Sequence, residues 1–376
     1  MKKIAFFGGD ISHTGGTERV SITLANYLVK NGYQVVIISL SGNKPPKFPV
    51  DESIKLVSLF DEKRRFSLAY FSVVVRLRRI LVDESIDILI DVDTMLALFS
   101  TTALLGTKIK HISWEHFNYK SNLNIKSRKL ARKIAAKYSD AVVTLTEKDR
   151  GYWLEENKYP EKIISISNPL PFEPKNKLTK RNSQIVLALG RLTNIKGFDL
   201  LLDIWVKVEE QSSNWKLIIA GDGEDKNLLL DKIKEFNLKN VELLPSTLHV
   251  SDLYDQSAIY AMTSRFEGFP MVLLEAKASG LPIIAYDCDT GPSELIINNE
   301  DGFLIPFSDS NAFARQLILL MNDDDLRESM SLRSLKNAEK YKIEVAIGDK
   351  WKSLIEKFKI KLCQIFTSLV ILLLEK

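Results

Sequence analysis

Cysteine is nearly absent: the chain has two, Cys288 and Cys363, 75 positions apart. That excludes a disulfide framework and a cysteine-rich zinc site, and it fits a reducing, cytoplasmic setting. No apolar run reaches the roughly 20 residues that a membrane-spanning helix needs. The closing stretch Cys363–Leu374 has twelve residues, three of them polar, and suits either the end of a core-docking helix or a shallow membrane contact. After Met1-Lys2-Lys3 the apolar run Ile4–Phe7 is too short for the core of a secretory signal. An excess of one charge is lacking too. With 52 Lys and Arg against 48 Asp and Glu, the net +4 argues against a general nucleic-acid binder. Internal repeats and low-complexity segments are also missing.

What is present is a chain of 376 residues, 45% hydrophobic and 27% charged, long enough for two or three domains of about 150 residues with real cores. Short apolar runs alternate with helical patterns, which predicts parallel sheets made of βαβ units. The first series of strand candidates is Ile4–Phe7, Val35–Ser39, Ile86–Val92, Lys110–Trp114, Ala141–Thr146 and Ile163–Ser167. A second series, Ile185–Gly190, Lys216–Gly221, Val241–Leu244, Ile259–Ser264, Pro282–Tyr286 and Phe303–Pro306, follows a proline-rich stretch ending at Pro174 and the polar run Lys175–Ser183. The expected division is therefore a doubly wound domain over 1–174, a linker over 175–183, and a second doubly wound domain over 184–345. A closing helix starts near Glu344, and residues 346–376 are expected to cross back to the first domain. Residues 1–174 carry 26 Lys and Arg against 19 Asp and Glu, whereas the remainder carries 26 against 29, so the halves should face different partners. Ligands of such folds bind at the carboxyl ends of the strands.

Three clusters fall at such strand ends. Gly15-Gly16 opens the helix after the first strand, where backbone N–H groups can approach an anion; an ordinary βα turn would carry the same glycines. Gly190-Arg191-Leu192-Thr193-Asn194-Ile195-Lys196-Gly197 puts two cations five positions apart on one loop, able to flank a diphosphate. Glu267-Gly268-Phe269-Pro270-Met271-Val272-Leu273-Leu274-Glu275 follows Ile259–Ser264, with a turn at Gly268–Pro270 and a helix from Met271. Its two carboxylates can accept hydroxyl pairs of a sugar, and the helix start can favour an anion.

Glu267 and Glu275 match the Glu-x7-Glu motif of retaining glycosyltransferases of the GT-B fold, and the chain resembles glycosyltransferase family 4 over nearly its full length. The resemblance also rests on Gly15-Gly16-Thr17-Glu18-Arg19, the Gly190–Gly197 loop, Ala220-Gly221-Asp222-Gly223 and Gly291-Pro292-Ser293-Glu294. It implies two Rossmann-like domains facing across a cleft. Arg191 and Lys196 would neutralise the departing diphosphate, Glu275 would hold the ribose and Glu267 the donor sugar. Backbone near Gly16, Gly190, Gly221, Gly268 and Phe269–Val272 would complete the phosphate cradle. His116 matches the family's N-domain histidine near the donor sugar, while His13, His111 and His249 are read as structural. The Gly291-Pro292-Ser293-Glu294 form resembles that of UDP-sugar users. The family pattern at the carboxylate loop is often Glu-Gly-Phe-Gly, and this chain has Pro270 instead.

The implied activity is transfer of a hexose or N-acetylhexosamine from a UDP-sugar to a glycan or lipid-linked glycan of the bacterial surface, as in lipopolysaccharide, capsule or exopolysaccharide assembly. No separate cofactor and no metal are expected. Asp91-Val92-Asp93 and Asp287-Cys288-Asp289 have the spacing by which GT-A enzymes hold a divalent ion, which is the rival reading. The chain is also compatible with a GT-B-like epimerase or phosphorylase, which uses the same two-domain cleft, and with a catalytically silent nucleotide-sugar-binding partner in polysaccharide assembly. Basic residues interleaved with apolar ones, Lys63–Arg65 with Phe66, Leu68 and Phe71, Arg76–Arg79, and Lys120 to Lys137 including Arg128 and Arg132, predict a peripheral contact with an anionic membrane. A solvated helix face would read the same way.

Overall fold

The apolar runs pair into two parallel sheets. The computed structural model describes residues 2–62, 69–122, 125–175 and 183–358. The expected linker residues 176–182, the basic-apolar segment Lys63–Leu68 and the apolar stretch Cys363–Leu374 lie outside the described residues.

The first sheet has strands β1 (Lys3–Gly8), β2 (Gln34–Ser39), β3 (Lys55–Ser58), β4 (Ile88–Asp91), β5 (Lys110–Trp114), β6 (Ala141–Thr144) and β7 (Ile163–Ser165), in the order β3-β2-β1-β4-β5-β6-β7. The second has β8 (Ile185–Leu189), β9 (Lys216–Ala220), β10 (Val241–Leu244), β11 (Ile259–Met262), β12 (Ile283–Asp287) and β13 (Gly302–Pro306), in the order β10-β9-β8-β11-β12-β13. Every pairing is parallel. Strands covered by helices on both faces read as unbroken apolar runs rather than alternations, and Ile4–Phe7, Val35–Ile38 and Val186–Leu189 are buried throughout. β3 is the strand absent from the sequence expectation. Its four residues lie at the sheet edge with Lys55 and Leu56 exposed, so it shows little of the apolar signal that marks the interior strands.

Helices cover these sheets with one apolar stripe each. Gly16–Lys30 buries Val20, Ile22, Leu24 and Leu28, and Phe198–Glu209 buries Leu201, Leu202, Ile204, Trp205 and Val208. The described residues divide into two compact units, one formed by those up to Pro169 together with 343–358, the other by those within Leu170–Lys342. The returning segment opens with a π-helical turn, Ile343–Ile347, and continues as a helix over 348–358. It is anchored by fully buried Trp351, whose ring meets Trp114 edge-on at 4.8 Å. Tyr33 Oη donates to Glu356 at 2.7 Å, and Lys2 Nζ to the Ile355 carbonyl at 2.7 Å. No helix among the described residues is long and apolar enough to cross a membrane.

Strand order reverses between β1 and β4 in the first sheet and between β8 and β11 in the second. At such switch points the loops leaving neighbouring strands diverge and leave a crevice for ligands.

Candidate active site

In the second unit the loops after β8 and β11 leave adjacent strands at the switch point. The Gly190–Gly197 loop is pressed onto the loop after β9: Leu192 N–H donates to the Asp222 carbonyl at 2.9 Å. A Cβ on Gly221 would lie 1.9 Å from the Gly190 carbonyl oxygen. Gly221, expected to face the donor, therefore has a packing reason to be glycine. A 3-10 turn, Asn194–Lys196, ends at Gly197, whose φ of 63° and whose missing Cβ, 2.1 Å from the Thr263 carbonyl, let the turn abut β11. Thr263 Oγ1 returns a 2.8 Å hydrogen bond to the Gly197 carbonyl.

This framework sets Lys196 Nζ 2.7 Å from Glu267 Oε1. Ser264 Oγ donates to the same oxygen at 2.6 Å. Thr290 holds the carboxylate loop from behind, its Oγ1 donating to the Glu267 carbonyl at 2.7 Å and to that of Gly268 at 3.3 Å. Thr290 has φ 60°, a strained conformation for a β-branched residue. Beside it Gly291 has φ 94°, and a Cβ there would sit 2.5 Å from Pro270 Cδ. Pro270 caps the helix Met271–Ala278, and Phe269 is buried before it. Glu275 lies in the second turn of that helix, buried, with Oε2 accepting from Tyr254 Oη at 2.8 Å; Tyr254 also reaches the Val272 carbonyl at 3.2 Å. The helix is tied further on by the fully buried Lys277–Asp301 ion pair, which Asn337 joins at 2.7 Å. Arg191 is engaged elsewhere: its side chain is 75% exposed and faces Glu224 at 3.7 Å. Ser264, Thr290 and Tyr254 fall outside the residues that the sequence marks. Ser264, three residues before Glu267, is legible as a local partner, whereas Tyr254 carries no sequence signal for its role.

In the first unit the loop after β5 carries His116. Its neighbour Glu115 is buried, with Oε2 accepting from Arg132 Nε at 2.7 Å and from Thr94 Oγ1 at 2.8 Å. Arg132 also donates to the carbonyls of Tyr119, Ser121 and Asn118. Arg128 forks over Asp93 at 3.0 and 3.1 Å, and burial, with the Glu115 charge close by, raises the Asp93 carboxyl above its usual range. This corrects one expectation and bears on the rival reading. Arg128 and Arg132 are not on a membrane-facing surface but inside, fixing the His116 loop. In Asp91-x-Asp93 the first carboxylate is spent on His111 Nε2 (2.7 Å) and Ser100 Oγ (2.6 Å), the second on Arg128. Asp289 in the other pair bridges to Phe266 through its backbone. No group of three His, Cys, Asp or Glu side chains suited to a metal occurs among the described residues.

Gly15 caps the helix Gly16–Lys30, but its N–H is taken by Glu18, whose carboxylate curls back onto it. This is the returning half of a capping box, with Glu at the third helical position. At the turn where the sequence reading puts phosphate, the Gly15 N–H thus meets a carboxylate, one that burial raises above its usual range.

The His116 ring lies 4.5 Å from that of Trp114, with Nε2 buried and unpartnered, and burial drops its pKa to about 3. The folded chain keeps it neutral. Between the ordinary value of 6.5 and about 3 the unfolded chain binds the extra proton, so stability falls as pH drops through this window. One such proton amounts to about 1.4 kcal/mol per pH unit. Denaturant unfolding across that range should show a shallower pH slope for His116→Phe than for wild type; identical slopes would refute the assignment.

Two family models cover the chain in succession: Glycosyltransferase Family 4 over residues 14–173 and Glycosyl transferases group 1 over 171–337. An uncharacterized glycosyltransferase of Haemophilus influenzae is 40% identical over 358 residues, covering 94% of this chain and 100% of that one. The chain belongs to glycosyltransferase family 4. Within the family it is similar to the Campylobacter jejuni GalNAc-alpha-(1->4)-GalNAc-alpha-(1->3)-diNAcBac-PP-undecaprenol alpha-1,4-N-acetyl-D-galactosaminyltransferase, at 28% identity over 96% of this chain and 99% of the relative. Its fold is that of a TarM mutant of S. aureus in complex with fondaparinux, alpha-GlcNAc-glycerol and UDP, with TM-score 0.79 and 18% identity over 94% of this glycosyltransferase and 99% of TarM. The two Rossmann-like units are thus those of a GT-B enzyme.

Proposed function

We propose that this glycosyltransferase is a retaining, metal-independent enzyme moving a hexose or N-acetylhexosamine from a UDP-sugar to a lipid-linked glycan bound for the bacterial surface, working peripherally on an anionic membrane. The observation that carries the reading is the 2.7 Å Lys196–Glu267 pair at the switch point of the second sheet, just ahead of the helix Met271–Ala278. A diphosphate arriving there offers Lys196 a more highly charged partner than Glu267. As Lys196 turns to it, Glu267, still oriented by Ser264, is freed to accept sugar hydroxyls. Glu275, braced by Tyr254, takes the ribose hydroxyls. Negative charge on the departing diphosphate is met by Lys196, by Arg191 leaving Glu224, and by the helix N-terminus, which makes a divalent ion unnecessary. Neutral His116, with Nε2 unspent, offers a hydrogen bond to a sugar hydroxyl. The undecaprenyl-linked glycan in the name of the Campylobacter relative supports the acceptor class, and the UDP in the TarM complex supports the nucleotide.

Calorimetric titration of UDP, GDP and ADP in excess EDTA tests this. UDP alone is expected to bind, and Lys196→Ala to bind it more weakly. Binding that needs manganese would overturn the metal-independent mechanism, and silence with all three nucleotides would overturn the donor assignment.

A further inference from the structure

The first unit holds a cavity of about 960 Å³ beside the helix Ala97–Ala103, walled by Leu40, Leu98, Phe99, Leu104, Ile109 and Ile134. That volume is at the upper end of small-molecule sites. Apart from Ser127 at its edge, the polar side chains of Tyr70, Thr101, Thr102, His111 and Asp140 on its wall are committed to the protein itself. Tyr70 Oη bonds Thr102 Oγ1 at 2.7 Å and the Leu98 carbonyl at 3.0 Å, His111 pairs with Asp91, and Thr101 Oγ1 donates to the Ala97 carbonyl. Asp140 takes Lys110 Nζ at 2.8 Å and the His111 N–H at 2.9 Å. What remains for a ligand is apolar wall and the single hydroxyl of Ser127, so an occupant is recognised by hydrocarbon rather than by a pattern of hydrogen bonds.

The surface around the cavity has a matching character. On one side the helix Tyr70–Asp83 leaves Phe71 80% exposed, with Val75 also exposed and Arg79 beside it. On the other the helix Lys126–Tyr138 contains no acidic residue; with Arg128 and Arg132 turned inside, it presents Lys126, Lys129, Lys133 and Lys137 to solvent with Leu130 and Tyr138 among them. Leu105, after the helix Ala97–Ala103, is exposed as well. Cations set among exposed apolar side chains are the complement of an anionic headgroup above hydrocarbon.

We propose that this cavity takes the hydrocarbon chain of an anionic membrane lipid, whose headgroup rests on the lysines of Lys126–Tyr138. The proposal leans on the membrane-side reading above only for the setting in which such a lipid is met. Lipid binding and nucleotide binding are read separately, so either can fail alone.

The probe is myristoyl lysophosphatidylglycerol below its micelle concentration, titrated into the full chain, with glycerol phosphate as a chainless control. Wild type should bind the lipid saturably and ignore glycerol phosphate. Thr101→Phe, which fills the cavity from its wall, should bind at least about tenfold more weakly. The surface variant Lys129→Glu/Lys133→Glu leaves the cavity untouched and should weaken the anionic probe while sparing myristoyl lysophosphatidylcholine. A thermal unfolding transition unchanged from wild type certifies each variant. No saturable binding by wild type, or equal affinity in folded Thr101→Phe, overturns the proposal even if UDP binds as expected.

Discussion

Lys196→Ala is expected to lower the turnover of sugar transfer by roughly 10²–10³, about 2.7–4 kcal/mol of transition-state stabilisation, as does loss of one oxyanion donor. The turn that carries Lys196 packs closely on the Thr263 backbone, with no room for a Cβ on Gly197 and a hydrogen bond from Thr263 Oγ1 to the Gly197 carbonyl. In the resting protein its charge is balanced by Glu267 at 2.7 Å. Lys196 already meets the diphosphate of the bound donor, and the negative charge it faces grows as the diphosphate departs, so the added stabilisation appears in the transition state and the loss should fall mainly on kcat rather than KM. Arg191→Ala should cost less than Lys196→Ala, since the Arg191 side chain is 75% exposed and solvent screens it. Steady-state kinetics of transfer by the two variants decide the matter. Wild-type turnover by Lys196→Ala would remove Lys196 from the mechanism.

Arg132→Met should destabilise the first unit by about 3–5 kcal/mol, the range seen when one partner of a buried ion pair is removed. Arg132 is 1% exposed and supplies a charged hydrogen bond to Glu115 and one to each of three backbone carbonyls. Without it Glu115 keeps Thr94, the Phe117 N–H and a 3.5 Å approach from Arg128, too little to solvate a buried carboxylate. Adding Glu115→Gln should recover part of the loss, because the remaining group is then neutral. Urea unfolding of the single and double variants measures both. A neutral Arg132→Met would show that the His116 loop is held by its apolar contacts instead.

Parallel strands buried on both faces announce themselves, which is why the interior strands and the division into two sheets could be read from the sequence. β3 could not, because an edge strand carrying Lys55 and a half-buried Val57 has neither an unbroken apolar run nor a full alternation. The carboxylate and lysine of the candidate site were legible for a similar reason: they follow strand ends and bracket glycine and proline turns. Charge by itself misled. Arg128 and Arg132 stand among lysines on one helix, and only the packing of Glu115 and Asp93 beneath separates the two buried arginines from the four exposed lysines. The Glu18 cap was present in the sequence as a Gly-x-x-Glu spacing, but Gly15-Gly16 reads equally well as an anion site. Which group meets the Gly15 N–H in this structure follows from the direction in which the Glu18 side chain curls.

The path of the backbone also bears on how the protein is made. Where the second unit begins and ends, the Leu170 N–H donates to the Tyr341 carbonyl at 2.8 Å. That unit is therefore an insertion whose two ends meet, and it is complete once the ribosome has released Lys342. The first unit, though translated earlier, still lacks Trp351 for the face of Trp114 at that moment. Chain order thus permits the later-made unit to close before the earlier one, against the usual amino-to-carboxyl order of domain maturation. The first unit gains the Trp114–Trp351 contact only after the segment carrying Trp351 has emerged.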